Sequence, residues 1–131
     1  MFNTPVGSFR YAPLVREGHI VRNWVKLTQP LEWNSDDGVR VQVPVGFEFN
    51  LASVPWWLGF VAQKLGRHQR AAALHDYLYK EGIGSRSWAD EQFSAAMAGD
   101  RVRTWRRRTM WLGVRALGLP AWWMSKYRRQ A

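Results

Sequence analysis

Apolar and polar residues alternate with a period of two over residues 21–50, residues 1–20 are weakly patterned, and the period lengthens after residue 50. Val21, Asn23, Val25 and Leu27 fall on one side of an extended chain, with Arg22, Trp24 and Lys26 on the other. Phe9 and Tyr11 flank Arg10, which suits a short strand, and Leu31–Trp33 reads as another. Val39, Val41 and Val43 alternate with Arg40 and Gln42, and Phe47 and Phe49 resume the pattern. Asp36-Asp37-Gly38 between apolar runs is a tight-hairpin signal, and Pro44-Val45-Gly46 marks a further turn. Residues 21–50 are therefore expected to form one small antiparallel sheet.

Helical spacing follows. Ser53 is placed to cap a helix entered through Pro55, with Trp56–Leu65 as a short apolar helix stopped by Gly66. Arg67–Met97 reads as two helices joined by a glycine-bearing turn. The second is expected to start at Ser87-Trp88-Ala89-Asp90, shaped like a capping box, and to bury Phe93, Ala96 and Met97. Arg101–Leu117 is a further helix with Val102, Trp105, Leu112 and Leu117 as apolar contacts, ended by Gly118 and Pro120. Ala121–Tyr127 is the last helix, and the tail from Arg128 is expected to fray. The fold class is α+β: a small N-terminal antiparallel sheet, then a helical C-terminal half with a central helix hairpin, expected as a single domain over residues 1–131.

Composition narrows the chemistry. The chain has 131 residues, 47% hydrophobic and 22% charged, which suits a folded domain. It has no cysteine, so disulfides, thiolate catalysis and cysteine-ligated zinc are excluded. The net charge of +9 is unevenly placed: residues 1–100 carry ten basic and ten acidic side chains, residues 101–131 nine basic and none acidic. Nine tryptophans include Trp105, Trp111, Trp122 and Trp123 within that basic segment. A basic, tryptophan-rich segment points to an anionic partner or to a solvated helix face. Arg106, Arg107, Trp122, Trp123, Lys126 and Arg128 are its candidate substrate- or membrane-binding residues. Neither a signal peptide nor a transmembrane helix is expected.

Polar chemistry gathers on one helical turn. At about 3.6 residues per turn, His75 and Tyr79 share a face and Asp76 lies about 100° to one side. His75 is a candidate general base, Tyr79 a candidate orienting group, and Asp76 a candidate ligand for a hard cation such as calcium. The alternatives are structural: a hydrogen-bonded buried imidazole, a core phenol, and a salt bridge from Asp76 to Arg86 or Arg70. Asn50 and the Leu51–Ser53 backbone form a loop that could complete a calcium shell. Asp90 is the third candidate catalytic residue. With a helix starting at Ser87, His75 lies about 9 Å back from the turn and Asp90 about 4.5 Å beyond it, so Asp90 is expected level with Tyr79 rather than His75. His68 shares a face with His75, and His19 is read as incidental. No Gly-x-Ser-x-Gly elbow or phosphate-cradling loop is present.

Pro44-Val45-Gly46-Phe47, Leu51-Ala52-Ser53-Val54-Pro55, Arg70-Ala71-Ala72, His75-Asp76-Tyr77-Leu78-Tyr79, Ser85-Arg86, Ala89-Asp90 and Phe93-Ser94-Ala95-Ala96-Met97 resemble, in order, an uncharacterised family of tailed-phage and prophage proteins. The resemblance implies a phage setting, in the host cytoplasm or the virion, and no activity. Asn50 departs from the family pattern, where aspartate is usual. More locally, His75-Asp76-x-x-Tyr79 followed by Asp90-x-x-Phe93 resembles the catalytic helix pair of phospholipases of the A-two type. That resemblance implies that His75 activates water, Asp76 holds calcium, and Tyr79 and Asp90 steer the imidazole.

These readings lead to a hydrolase acting on a lipid or cell-envelope substrate, with calcium as its expected cofactor and an anionic surface as its partner. The alternative is a non-catalytic virion or host-interaction protein, bound to another phage protein, in which the His-Asp-Tyr group is a structural polar network. Nucleic-acid binding through Arg101–Arg129 comes third, because no nucleic-acid motif accompanies the charge.

Overall fold

A computed structural model describes residues 1–2, 10–50 and 69–130. The helix expected over Trp56–Leu65, its Ser53 cap, the Leu51–Ser53 loop, Phe9 and His68 lie outside the described residues. The chain divides into two compact units, residues 1–53 and 54–131. Antiparallel strands followed by helices make an α+β fold, as the patterning implies.

The first unit holds five strands: β1 (Tyr11–Arg16), β2 (His19–Leu27), β3 (Leu31–Asn34), β4 (Arg40–Val43) and β5 (Glu48–Asn50). The single expected sheet is two. β1, β2 and β5 form one antiparallel sheet, and β3 pairs with β4 in a separate hairpin inserted between β2 and β5. The Asp-Gly signal is realised: Gly38 takes φ 88°, and Ser35 and Val39 exchange bonds across the turn. The β1–β2 hairpin carried no such signal. Glu17 and Gly18 both take positive φ, 51° and 79°, a two-residue turn that fits the strand twist but places glutamate where asparagine or aspartate is usual. His19, expected in a turn, pairs with Arg16 at the start of β2. Leu14, Val25, Leu27, Leu31, Trp33, Val41, Val43 and Phe49 form the buried core of this unit.

The described part of the second unit has four helices: α1 (Gln69–Glu81), α2 (Arg86–Gly99), α3 (Thr104–Leu117) and α4 (Leu119–Gln130). α2 packs between α1 and α3, and α4 returns onto α1. Ala71, Ala73, Ala89 and Ala96 are fully buried alongside Leu74, Leu78, Phe93 and Met97. Small side chains at such positions let the α1 and α2 backbones come close.

Both hairpin helices end in a left-handed residue that turns the chain back on the last carbonyls. After α1 that residue is Gly82 (φ 64°), with the Ile83 N–H bonded to the Leu78 carbonyl. After α2 it is Arg101 (φ 64°), with Arg101 and Val102 bonded to the Ala98 and Met97 carbonyls. An arginine stands there where glycine is favoured.

The α3 stripe departs from expectation. Trp105 and Leu112 are exposed, while Met110 and Gly113 are buried and Arg106 is half-buried. The inward face is Arg106, Met110 and Gly113, at the i, i+4, i+7 spacing of a helix face, with arginine standing where an apolar residue was sought. α4 also runs further than expected, from Leu119 directly after Gly118 and on through Arg129. Among the described residues no helix is long and apolar enough to cross a membrane.

Candidate active site

The α1–α2 turn decides what meets what. The α2 cap is Ser85, not Ser87: the Ser85 hydroxyl accepts the Trp88 N–H at 3.0 Å, and the helix begins at Arg86. Asp90 therefore has no capping duty. It lies five residues, or about 7.5 Å, into α2, against about 9 Å for His75 in α1. The two are nearly level, and the expected offset disappears.

Asp90 is fully buried and receives polar groups from three helices. Its Oδ1 accepts the Tyr79 hydroxyl at 2.6 Å and faces His75 Nε2 at 2.7 Å. Its Oδ2 accepts Arg115 Nη1 from α3 at 2.9 Å, and Arg86 Nη1 lies 3.7 Å from the same oxygen. The imidazole is enclosed by the Tyr79 and Phe93 rings at centroid distances of 4.3 and 4.7 Å.

Burial alone would raise the Asp90 pKa. Hydrogen bonds from His75 and Tyr79, the charge of a protonated His75, and the bond from Arg115 outweigh it and hold the carboxyl below its ordinary range. Asp90 is thus an anion at neutral pH. Tyr79 moves the other way: burial first, then its hydrogen bond to Asp90 and the carboxylate charge, push the phenol far above its usual value. It stays a neutral donor.

An ionised Asp90 fixes the His75 tautomer, because a carboxylate only accepts. Nε2 carries the proton and donates it to Oδ1. In the neutral ring Nδ1 then keeps its lone pair, and it has no hydrogen-bond partner among the described residues. The His75 side chain is 13% exposed, against none for Asp90.

Arg86 and Arg115 were absent from the sequence-derived site. Arg86, expected as a partner for Asp76, instead donates to the Val114 and Arg115 carbonyls at 3.2 Å, closing the C-terminus of α3. A cation in the first turn of a helix opposes that helix's own dipole, and this is the sequence signal that it reaches elsewhere. Gly118 was read only as a helix stop. A Cβ there would come 2.8 Å from the Tyr79 hydroxyl, so glycine lets the α3–α4 corner close over the phenol.

The other expected residues are placed as follows. Asp76 pairs with Lys80 Nζ at 3.4 Å, not with Arg86 or Arg70, and burial raises its pKa against the opposing pull of Lys80. Arg70 is committed elsewhere, as a two-pronged ion pair with Asp100. Asn50 ends β5, and its side chain is outside the description. Among the described residues an ammonium, that of Lys80, stands against the Asp76 carboxylate. Among them no group of three His, Cys, Asp or Glu is gathered to hold a metal. Arg106 and Arg107 are half-buried, with the Arg106 guanidinium 5.2 Å over the Trp105 ring. Trp122 packs edge-on against Tyr79 at 5.2 Å, while Trp123, Lys126 and Arg128 are exposed.

Residues 25–114, more than half of the chain, match the family described as protein of unknown function (DUF1353). The chain belongs to this family. The DUF1353 match takes in β3 to β5 and α1 and α2 whole, so His75, Tyr79, Arg86 and Asp90 lie inside it and Arg115 one position beyond. No curated protein and no solved structure matches the chain.

Proposed function

We propose that His75 and Asp90 form a general-base pair for hydrolysis, in a phage or prophage protein whose substrate is a lipid or cell-envelope component. One observation carries the reading: the imidazole is held on Nε2 at 2.7 Å by a buried carboxylate and has no partner on Nδ1 among the described residues. In that arrangement Nδ1 takes a proton from water as the oxygen attacks a carbonyl carbon. The imidazolium that forms is stabilised by Asp90, and its proton then goes to the leaving group. Tyr79 and Arg115 occupy the remaining Asp90 positions and keep the carboxylate from turning away. No step is routed through a metal. The phage setting rests on the ordered motif resemblance.

The test is hydrolysis of phospholipid vesicles and purified envelope fractions by the wild type and by His75→Ala. Loss of a general base should cost about 10²- to 10⁴-fold in rate. Equal rates in the two proteins end the proposal.

A second reading is supported by the full burial of Asp90 with both oxygens engaged. On it the cluster is a polar network that fixes how α1, α2 and α3 meet, in a virion or host-interaction protein. It expects His75→Ala to lower the melting temperature with no hydrolysis in either protein.

A further inference from the structure

α4 is held to the bundle along one face. Trp122 packs against Tyr79, and Arg129 Nη1 donates to the Tyr79 and Lys80 carbonyls at 2.9 and 2.8 Å, closing the C-terminus of α1. At about 100° per residue, Leu119, Trp123, Met124 and Tyr127 fall within an arc of about 140° on the other side of the helix. They are 45%, 56%, 57% and 75% exposed. The edges of that arc are cationic. Lys126 borders it beside Leu119, with its Nζ 5.2 Å over the Trp123 ring, and the exposed Arg128 borders it beyond Met124. On α3, Trp105 and Leu112 are also exposed, seven residues apart on one side of that helix, with exposed Arg108 between them. No acidic residue occurs anywhere in 101–131.

We infer that this face of α4 docks on the surface of an anionic phospholipid bilayer. The occupant follows from the chemistry of the arc. Tryptophan and tyrosine with leucine and methionine between them suit the boundary between headgroups and acyl chains, and bordering lysine and arginine suit anionic headgroups. A nucleic acid would use the cations and stack on the aromatic rings, but would leave Leu119 and Met124 without a counterpart. The helix lies on such a surface and does not span it. The inference stands on α4 and is independent of the chemistry at His75.

The experiment is flotation of the full chain with vesicles of phosphatidylglycerol and phosphatidylcholine, against vesicles of phosphatidylcholine alone. Binding is expected on the anionic vesicles and weak on the neutral ones. Trp123→Ala with Tyr127→Ala should weaken it by roughly tenfold or more, since large apolar groups would no longer be buried. Lys126→Glu with Arg128→Glu should also weaken it. These side chains are exposed, and circular dichroism and melting temperature are expected to match the wild type. Absence of binding to anionic vesicles overturns the inference. Binding unchanged by the Trp123 and Tyr127 substitutions overturns it as well. A tighter, salt-sensitive interaction with a DNA or RNA oligonucleotide, lost in the same variants, assigns the face to nucleic acid and overturns it too.

Discussion

Two buried carboxylates sit in the same helix hairpin and are held in different ways. Asp100, just past α2, takes both prongs of Arg70 from the first turn of α1, and both side chains are nearly buried, at 5% and 8% exposure. One anion meets one cation in a matched fork, and the pair ties the start of α1 to the end of α2. Asp90 is fully buried and shares its charge among an imidazole, a phenol and two arginines. The first arrangement needs nothing further. The second keeps a ring whose far nitrogen is unengaged among the described residues. A closed ion pair fastens helices; an imidazole oriented on one nitrogen is equipped to move a proton.

The comparison breaks most visibly at Asp90. Asp90→Ala leaves Arg115, Arg86 and His75 without their shared anion and should cost about 3–5 kcal/mol in urea unfolding, as expected for removing one side of a buried ionic group. Arg70→Ala should cost a similar amount by stranding Asp100. Here the two sites part: Arg70→Met with Asp100→Leu should recover most of that loss, because a buried pair can be replaced by packed apolar groups. The double variant should leave any hydrolytic rate unchanged.

Gly118→Ala comes next. The added methyl meets the Val114 carbonyl oxygen first and then the Tyr79 hydroxyl, and should cost about 1–3 kcal/mol while displacing the phenol from Asp90. A melting temperature equal to wild type would show that the corner yields without strain.

Acid sharpens the contrast. The Asp90 carboxyl is held below its ordinary value, so its contribution to stability is fully present above the normal aspartate range, near pH 4, and is lost as pH falls through its folded value. Asp90→Asn should flatten the acid limb of a stability-against-pH curve. An unchanged limb would contradict the ionised carboxylate.

Arg101→Gly should stabilise by about 1 kcal/mol, since φ of 64° burdens any side chain there. The smallest effect is expected at Asp76. Burial raises its pKa, so ionising it near neutrality costs stability, and Asp76→Asn should raise the melting temperature slightly at pH 7. The same variant should keep any hydrolytic activity, and calcium chelation should leave it unaltered. Loss of activity in either case would make Asp76 a metal ligand.

Much of this was legible in the residues, and the failures have physical reasons. The period-two pattern located β2 to β5, and Asp37-Gly38 located the β3–β4 turn. Alternation says which residues are extended but not which strand pairs with which, so one sheet was expected where two form. His75 and Tyr79 followed from helical spacing alone. Asp90 was recognised, but its level was misjudged because two serines, Ser85 and Ser87, could each cap α2, and two residues of helix are worth about 3 Å along the axis. Arg115 was not legible because it reaches the site through the packing of α3 on α2, a contact between residues 25 positions apart. Arg86 stands four residues before Asp90 on the same helix, and a helix start at Ser87 left it outside that spacing. The inward face of α3 was missed because Arg106 occupies a position where burial leads one to look for leucine or tryptophan.

The central claim is that His75 carries its proton on Nε2 against Asp90 and keeps Nδ1 open as a base. Long-range proton–nitrogen correlation NMR on ring-labelled protein at mildly alkaline pH reads this directly. The expected spectrum shows a neutral His75 with a protonated Nε2 and a bare Nδ1, and Asp90→Asn disturbs that preference. A proton on Nδ1, with Nε2 bare against Asp90, would contradict it.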